Sequence, residues 1–209
     1  MKYYAVKKGK KPGIYTTWDE CKENVHGYAG AIYKSFKNKK DAENFLNGDT
    51  QELKSADLSS IYAYAFVDGS FNDDTKVYGY GGFLIHTIKE DDTDSPIVKK
   101  YIIQGWDDDE EMVSMRNVSG EILGSIEAVK KAISLGIEEV TIFYDYMGIE
   151  MWAKGLWKRN RQGTIFYYEF MQAIKDIIKV NFVKVQGHSG IPGNEEADKL
   201  AKEAVGIKD

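Results

Sequence analysis

The chain has 209 residues, of which 43% are hydrophobic and 13% aromatic, enough for one large or two small domains with a real core. No apolar run approaches the length of a membrane span, and the polar opening Met1-Lys2-Tyr3-Tyr4-Ala5-Val6-Lys7-Lys8 is no secretory core, so no membrane partner is expected. The single Cys21 excludes an internal disulfide and fits a reducing, cytoplasmic setting. The net charge of −5 is unevenly spread: residues 1–48 carry ten lysines against five acids, while the remainder carries 18 bases against 28 acids. A basic head on an acidic body suits a head that contacts a polyanion and a body whose acids hold cations.

Residues 1–47 read as a small α/β unit. Tyr3 to Val6 alternates as a strand, Gly9 to Gly13 with Pro12 is turn chemistry, and Ile14-Tyr15-Thr16 resumes a strand. Thr17 can cap a helix over Trp18 to Val25, with Glu20 at capping-box spacing. Ala31 to Phe36 is a third strand, and Asp41 to Leu46 a short last helix. Residues 48–60 are polar and without period, and read as a flexible linker. Residues 61–209 form the second domain. Strands are expected over 61–68, 78–88 and 96–105, joined by acidic turns at Asn72-Asp73-Asp74 and Glu90 to Ser95. Gly79-Tyr80-Gly81-Gly82 signals close backbone packing. Ile122, Ile126, Val129 and Ile133 recur at helical spacing, predicting a helix over about 120–135. A strand (139–145), helical stretches (146–155 and 164–178), a strand (181–186) and a helix (193–204) complete the order βββαβααβα. That order is an α/β fold: an antiparallel meander continued by parallel strands into a mixed five-stranded sheet, with helices on both faces.

Four acids occupy distinctive settings. Asp68 ends the apolar run Ala63-Tyr64-Ala65-Phe66-Val67, Glu121 opens a helical pattern after Asn117-Val118-Ser119-Gly120, Asp145 ends Val140-Thr141-Ile142-Phe143-Tyr144, and Asp198 closes a block that begins at Gly187-His188-Ser189-Gly190. One Asp at a strand end is commonly a turn or cap residue. Four acids gathered at strand ends and helix starts repel one another unless cations hold them. Oxygen ligands select hard ions, so two Mg²⁺ are expected, with Mn²⁺ able to substitute. Two such ions can activate a water and stabilise the leaving oxygen of a phosphodiester.

Asp68-Gly69-Ser70, Asn117 to Glu121, Asp145 and the His188 to Asp198 block together resemble ribonuclease H type 1, over residues 61–205. The resemblance implies a ribonuclease H-like sheet and an endoribonuclease that cuts the RNA strand of RNA–DNA hybrids with two metals, leaving 5′-phosphate and 3′-hydroxyl ends. It assigns Asp68 to both metals, Glu121 and Asp145 to the leaving-group side, Asp198 to the metal carrying the attacking water, and His188 to proton transfer or product release. It further implies that Asn117 reads the hybrid's minor groove, that Gly69 and Ser70 approach the RNA through their backbone, and that Asn194 lines the catalytic edge. Glu195 and Glu196 read as acids favoured by a helix N-terminus. Met147 departs from relatives with a polar contact there. Trp152 to Arg161 combines two tryptophans with four bases, short for the DNA-gripping protrusion of some members.

Residues 1–47 resemble the hybrid-binding domain at the N-terminus of many such enzymes, through Tyr4 to Lys10, Gly13-Ile14-Tyr15, Thr17 to Cys21 and Tyr33 to Phe36. That resemblance implies that Trp18 and Tyr33 pack against the DNA strand, that Lys34 holds a phosphate, and that Tyr4 and Lys10 contribute nearby. The expected partner is an RNA–DNA hybrid, with duplex RNA a weaker ligand of the head, and the expected state is a monomer. Other classes compete: a non-catalytic hybrid-binding module, or an actin-like kinase using Asp68-Gly69-Ser70 at phosphate, although the further Gly-rich loops of that fold are not found in the sequence. A junction resolvase or an integrase shares the expected fold with other chemistry.

Overall fold

The computed structural model describes residues 2–28, 31–47, 58, 61–88, 96–187 and 190–208. Contacts divide the chain into two compact units, Met1–Thr50 and Gln51–Asp209. The expected linker 48–60 lies outside the described residues except for Leu58, as does the expected turn at 90–95.

In the first unit, β1 (Tyr3–Lys8) lies between β2 (Gly13–Tyr15) and β3 (Ile32–Phe36), antiparallel to both. Helix α1 (Trp18–Val25) starts at the expected capping box, in which Thr17 accepts from the Glu20 N–H and Glu20 accepts from the Thr17 N–H. Its inner face presents Cys21 and Val25 to Val6, and burial pushes the Cys21 thiol up, as suits a small core residue. Helix α2 (Lys39–Asn47) closes the unit.

The second unit is built on a sheet of order β6-β5-β4-β7-β8, comprising β4 (Ala63–Asn72), β5 (Val77–Ile88), β6 (Ile97–Asp107), β7 (Glu139–Tyr144) and β8 (Lys179–Lys184). β4, β5 and β6 are antiparallel, while β7 and β8 continue parallel to β4. Helix α4 (Asn117–Ser134) seats Ile122, Ile126 and Val129 in the main core with Val67, Leu84 and Ile142. Helix α7 (Pro192–Ala204) covers a second cluster through Ala197, with Phe66, Phe83 and Phe143. Between β7 and β8 lie α5 (Gly148–Ala153) and α6 (Gln162–Ala173).

The structure departs from the sequence expectations in boundaries. β4 runs on to Asn72 rather than stopping at Asp68, because its antiparallel ladder with β5 extends through Asn72–Val77. A short helix α3 (Glu110–Val113), not expected from periodicity, follows β6, with Asp109 accepting from the Glu111 and Met112 N–H groups. α4 begins at Asn117, three residues early. The residue before it, Arg116, takes φ 57°, and the Ser119 hydroxyl donates back to the Met112 carbonyl, so the chain turns from α3 directly into α4.

Candidate metal centre

The site grows from the place where the sheet changes from antiparallel to parallel. The parallel ladder between β4 and β7 ends at Phe66↔Phe143. Two residues beyond that pair on each strand stand Asp68 and Asp145. Such carboxyl ends are where open α/β sheets bind ligands. Because β4 is held on its other side by β5, with Asp68 opposite Gly81, its backbone stays extended at the site.

Glu121 arrives from α4, one turn after Asn117. Glycines permit the approach. A Cβ on Gly69 would lie 2.0 Å from the Asn117 carbonyl oxygen, and one on Gly120 would lie 1.9 Å from that of Gly79. Helix and strand therefore touch backbone to backbone, which only glycine allows. Gly187, after β8, packs instead against the Asp145 side chain: a Cβ there would lie 2.6 Å from its Oδ2.

Asp68, Glu121 and Asp145 converge, each offering a carboxylate oxygen within 4.8 Å of the others. Asp68 is 8% exposed and Glu121 3%. Burial, then the Asp145 charge, raises the Asp68 carboxyl from 3.8 to about 7, although the Gly69 N–H opposes this by donating to its Oδ1 at 2.7 Å. Glu121 is pushed well above the usual carboxylate range by burial first, then by Asp145 and Asp68. Its Oε2 is buried without a hydrogen-bond partner among the described residues. A buried carboxylate oxygen with no donor, facing two other carboxylates, is costly in protein alone and fits a hard divalent cation.

Asp198 is not within that 4.8 Å set. Its Oδ2 sits 2.7 Å from Lys202 Nζ, one turn on along α7. It still acts on the cluster: its charge raises Asp68, and the Lys202 charge lowers it. His188 lies outside the described residues. Asn117 is exposed at the start of α4, Gly69 is half-buried against that helix, and Ser70 is buried. Asn194 is buried in the first turn of α7, its Oδ1 unpartnered among the described residues.

Several neighbours were not read from sequence. Lys202 carries the i,i+4 spacing from Asp198 that could have flagged it. Tyr146, directly after Asp145, packs against Trp152 and Trp157, and its hydroxyl is raised by burial and by Glu121. Tyr144 donates to the buried Glu150, which also pairs with Lys154 Nζ at 2.6 Å, fixing the chain on either side of Asp145. The two tryptophans of the basic stretch thus meet each other edge to face and pack on Tyr146, while Arg159 lies over Tyr168.

In the first unit, Trp18 stands between Tyr4 and Tyr33, with ring centroids 5.8 Å from each. Trp18 and Tyr33 are each 43% exposed, so they form an aromatic surface of mutually tilted rings rather than core. Lys34 Nζ lies 5.7 Å from the Phe36 ring, and Lys10 is exposed between β1 and β2.

Comparison with known proteins matches residues 2–46 to the family model described as ribonuclease H1 N-terminal domain, and residues 62–206 to the RNase H model. Ribonuclease H1 of Homo sapiens is 25% identical, with 97% of this chain aligned to 89% of it; that of Mus musculus is 24% identical over the same shares. A ribonuclease H of Saccharomyces cerevisiae is 57% identical over 44 residues, 21% of this chain and 13% of the relative. Among solved structures, LC9-RNase H1, described as a type 1 RNase H with the type 2 active-site motif, superposes with a TM-score of 0.50 at 19% identity. That match covers 69% of this chain and 72% of LC9-RNase H1, and supports the fold.

Proposed function

We infer from one established fact, that this chain belongs to the ribonuclease H family, that it hydrolyses the RNA strand of RNA–DNA hybrids, using two divalent metals and leaving 5′-phosphate and 3′-hydroxyl ends. The observation that carries this reading is the meeting of Asp68, Glu121 and Asp145 with a buried Glu121 oxygen that has no hydrogen-bond partner among the described residues. Three acids at the end of a sheet have no structural use for one another. Mg²⁺ bound there supplies Lewis acidity and a more acidic water for in-line phosphodiester displacement.

In this reading Asp68 would serve both metal positions, Glu121 and Asp145 would hold the leaving-group side, and Asp198 would complete the water side. Lys202, 2.7 Å from Asp198, competes with metal for that carboxylate. Asn117, exposed one turn before Glu121, would meet the minor groove beside the cut bond. Gly69 and Ser70 bring the β4 backbone toward the RNA, and Asn194 supports the edge near Asp198. His188 moves protons or helps release product. The Tyr4, Trp18 and Tyr33 surface, with Lys10 and Lys34, grips the DNA strand by stacking and phosphate neutralisation. The head also binds duplex RNA, more weakly. Selectivity follows from shape, since only the hybrid offers 2′-hydroxyls on one strand and a deformable DNA partner.

The test is incubation with labelled RNA–DNA hybrid beside single-stranded RNA, duplex RNA and duplex DNA, with Mg²⁺ or with EDTA. Metal-dependent cutting confined to the hybrid's RNA strand is expected. Hybrid binding without any cutting refutes the catalytic assignment.

A further inference from the structure

Strand β6 forms one edge of the five-stranded sheet, and an open edge is a template for further pairing. Natural edges are guarded by Pro, by bulges, by short length or by outward Lys. β6 has few such guards. It spans Ile97–Asp107, pairs with β5 in unbroken register from Ile88↔Ile97 to Tyr78↔Asp107, and contains no Pro. Lys100 is turned away from the edge, with its Nζ 2.6 Å from Glu196 and 4.1 Å from the Phe83 ring centroid.

The face shared by Val98, Lys100, Ile102, Gln104 and Trp106 looks toward α7, since Lys100 reaches Glu196 and Gln104 donates to the Leu200 carbonyl. α7 leaves its apolar members uncovered: Val98 is 61%, Ile102 54% and Trp106 60% exposed. Their spacing is symmetric about Ile102. Turning a second β6 antiparallel around that residue sets Val98 against Trp106, Ile102 against Ile102 and Lys100 against Gln104, all on one face. On the other face Lys99 stands opposite Gly105 and diagonal to Asp107. In this register no like charges oppose. Centring the pair on Lys99 or Lys100 instead stacks lysine on lysine, which is unfavourable.

We propose that β6 pairs with β6 of a second copy of this chain about a two-fold axis through Ile102, joining the two sheets edge to edge. The axis is normal to the sheet, so α4 of both copies lies on one face of the joined sheet and α7 of both on the other. The row Asp68–Gly81–Gln104 continues into Lys100 of the second copy. This departs from the monomer expected from sequence alone, because sequence shows a strand but not that it ends the sheet with its apolar residues bare.

The pairing is tested on the full chain without nucleic acid. Sedimentation equilibrium should show a reversible dimer whose fraction rises between about 10 and 500 µM, as suits a small interface. Ile102→Cys should form a disulfide-linked dimer under mild oxidation, because self-opposed strand residues lie about 4.5–5.5 Å apart at Cα, within disulfide reach. The control is Ile177→Cys, exposed to 61% on the loop before β8. Pairing should make Ile102→Cys cross-link about tenfold faster or more. Ile102→Lys, which sets two ammonium groups on the axis, should abolish the dimer while leaving single-copy cleavage of a short hybrid unchanged. A protein that stays monomeric throughout, or an Ile102→Cys variant no faster than the control, overturns the proposal.

Discussion

Replacing Asp68 by Asn should make the metal-free protein more stable at neutral and alkaline pH while abolishing its activity. The side chain keeps its shape, and Asn Oδ1 can still accept from the Gly69 N–H that now meets Asp68 at 2.7 Å. What changes is charge. Burial and Asp145 raise the carboxyl from 3.8 to about 7 in the folded protein. A carboxyl raised on folding leaves stability intact below its unfolded value, and stability is lost as pH rises through the folded one. The native state should therefore weaken between about pH 4 and pH 7 in EDTA, by at most about 4 kcal/mol from this group. Neighbouring carboxylates take up protons in its place and share the cost, so roughly 2 kcal/mol should separate Asp68→Asn from the parent at pH 8. In a domain of this size that is a melting shift of roughly 4–8 °C. Melting curves of both proteins in EDTA at pH 4 and pH 8 measure it, with the gap expected at pH 8 and small at pH 4. Adding Mg²⁺ at about 100 times its dissociation constant should raise the parent by ~2.7 kcal/mol and the variant far less. If the variant at pH 8 is no more stable than the parent in EDTA, the ionised cluster is not under electrostatic stress, and the reasoning fails.

Three other outcomes follow from the same geometry. Trp18→Ala should weaken hybrid binding about tenfold to a hundredfold, from ~1–3 kcal/mol per stacked base, without changing the rate at saturating hybrid; unchanged affinity for long hybrids in a binding titration contradicts the role given to the exposed Trp18 face. Gly120→Ala, whose Cβ would sit 1.9 Å from the Gly79 oxygen, should cost about 3 kcal/mol in chemical denaturation and weaken Mg²⁺ binding, because α4 must back away and take Glu121 with it; native-like stability and metal affinity together would show the contact to be slack. Lys202→Met should tighten Mg²⁺ binding by calorimetry about two- to fivefold, the worth of a partly exposed ion pair, since Asp198 loses its 2.7 Å partner; weaker binding would mean that Lys202 orients Asp198 rather than competing for it.

Much of this arrangement was legible because its signals are local. The apolar runs into Asp68 and Asp145 mark neighbouring strands, and the helical spacing from Ile122 to Ile133 fixes the face of α4 that meets them. The capping box at Thr17 and Glu20 placed the start of α1 to the residue. What stayed hidden depends on partners distant in sequence. β4 passes Asp68 because β5 holds it. α3 is too short, at four residues, to show a period. The start of α4 follows Arg116 at φ 57°, a conformation that a long side chain does not advertise. The resemblance put Trp18 at a surface contact with Tyr33 and Tyr4, but that Trp18 stands between those two rings is set by strands distant in sequence.

The glycines tie these levels together. Gly79, Gly81 and Gly82 announced close packing in sequence, but not against what. The structure shows Gly79 receiving Gly120 and Gly81 receiving Ala201, with would-be Cβ contacts of 1.9 Å to the Gly79 oxygen and 2.0 Å to the Ala201 nitrogen. One β5 segment therefore sets the depth of α4 on one face and of α7 on the other, and those helices carry Glu121 and Asp198. Burial first, and then mutual repulsion, act against the ionised acids and raise the Asp68 and Glu121 carboxyls, so nothing in the cluster draws them together before metal binds. Backbone contact through side-chain-free positions holds them against that repulsion. A cation then meets ligands already assembled, and its binding energy need not be spent on folding the site.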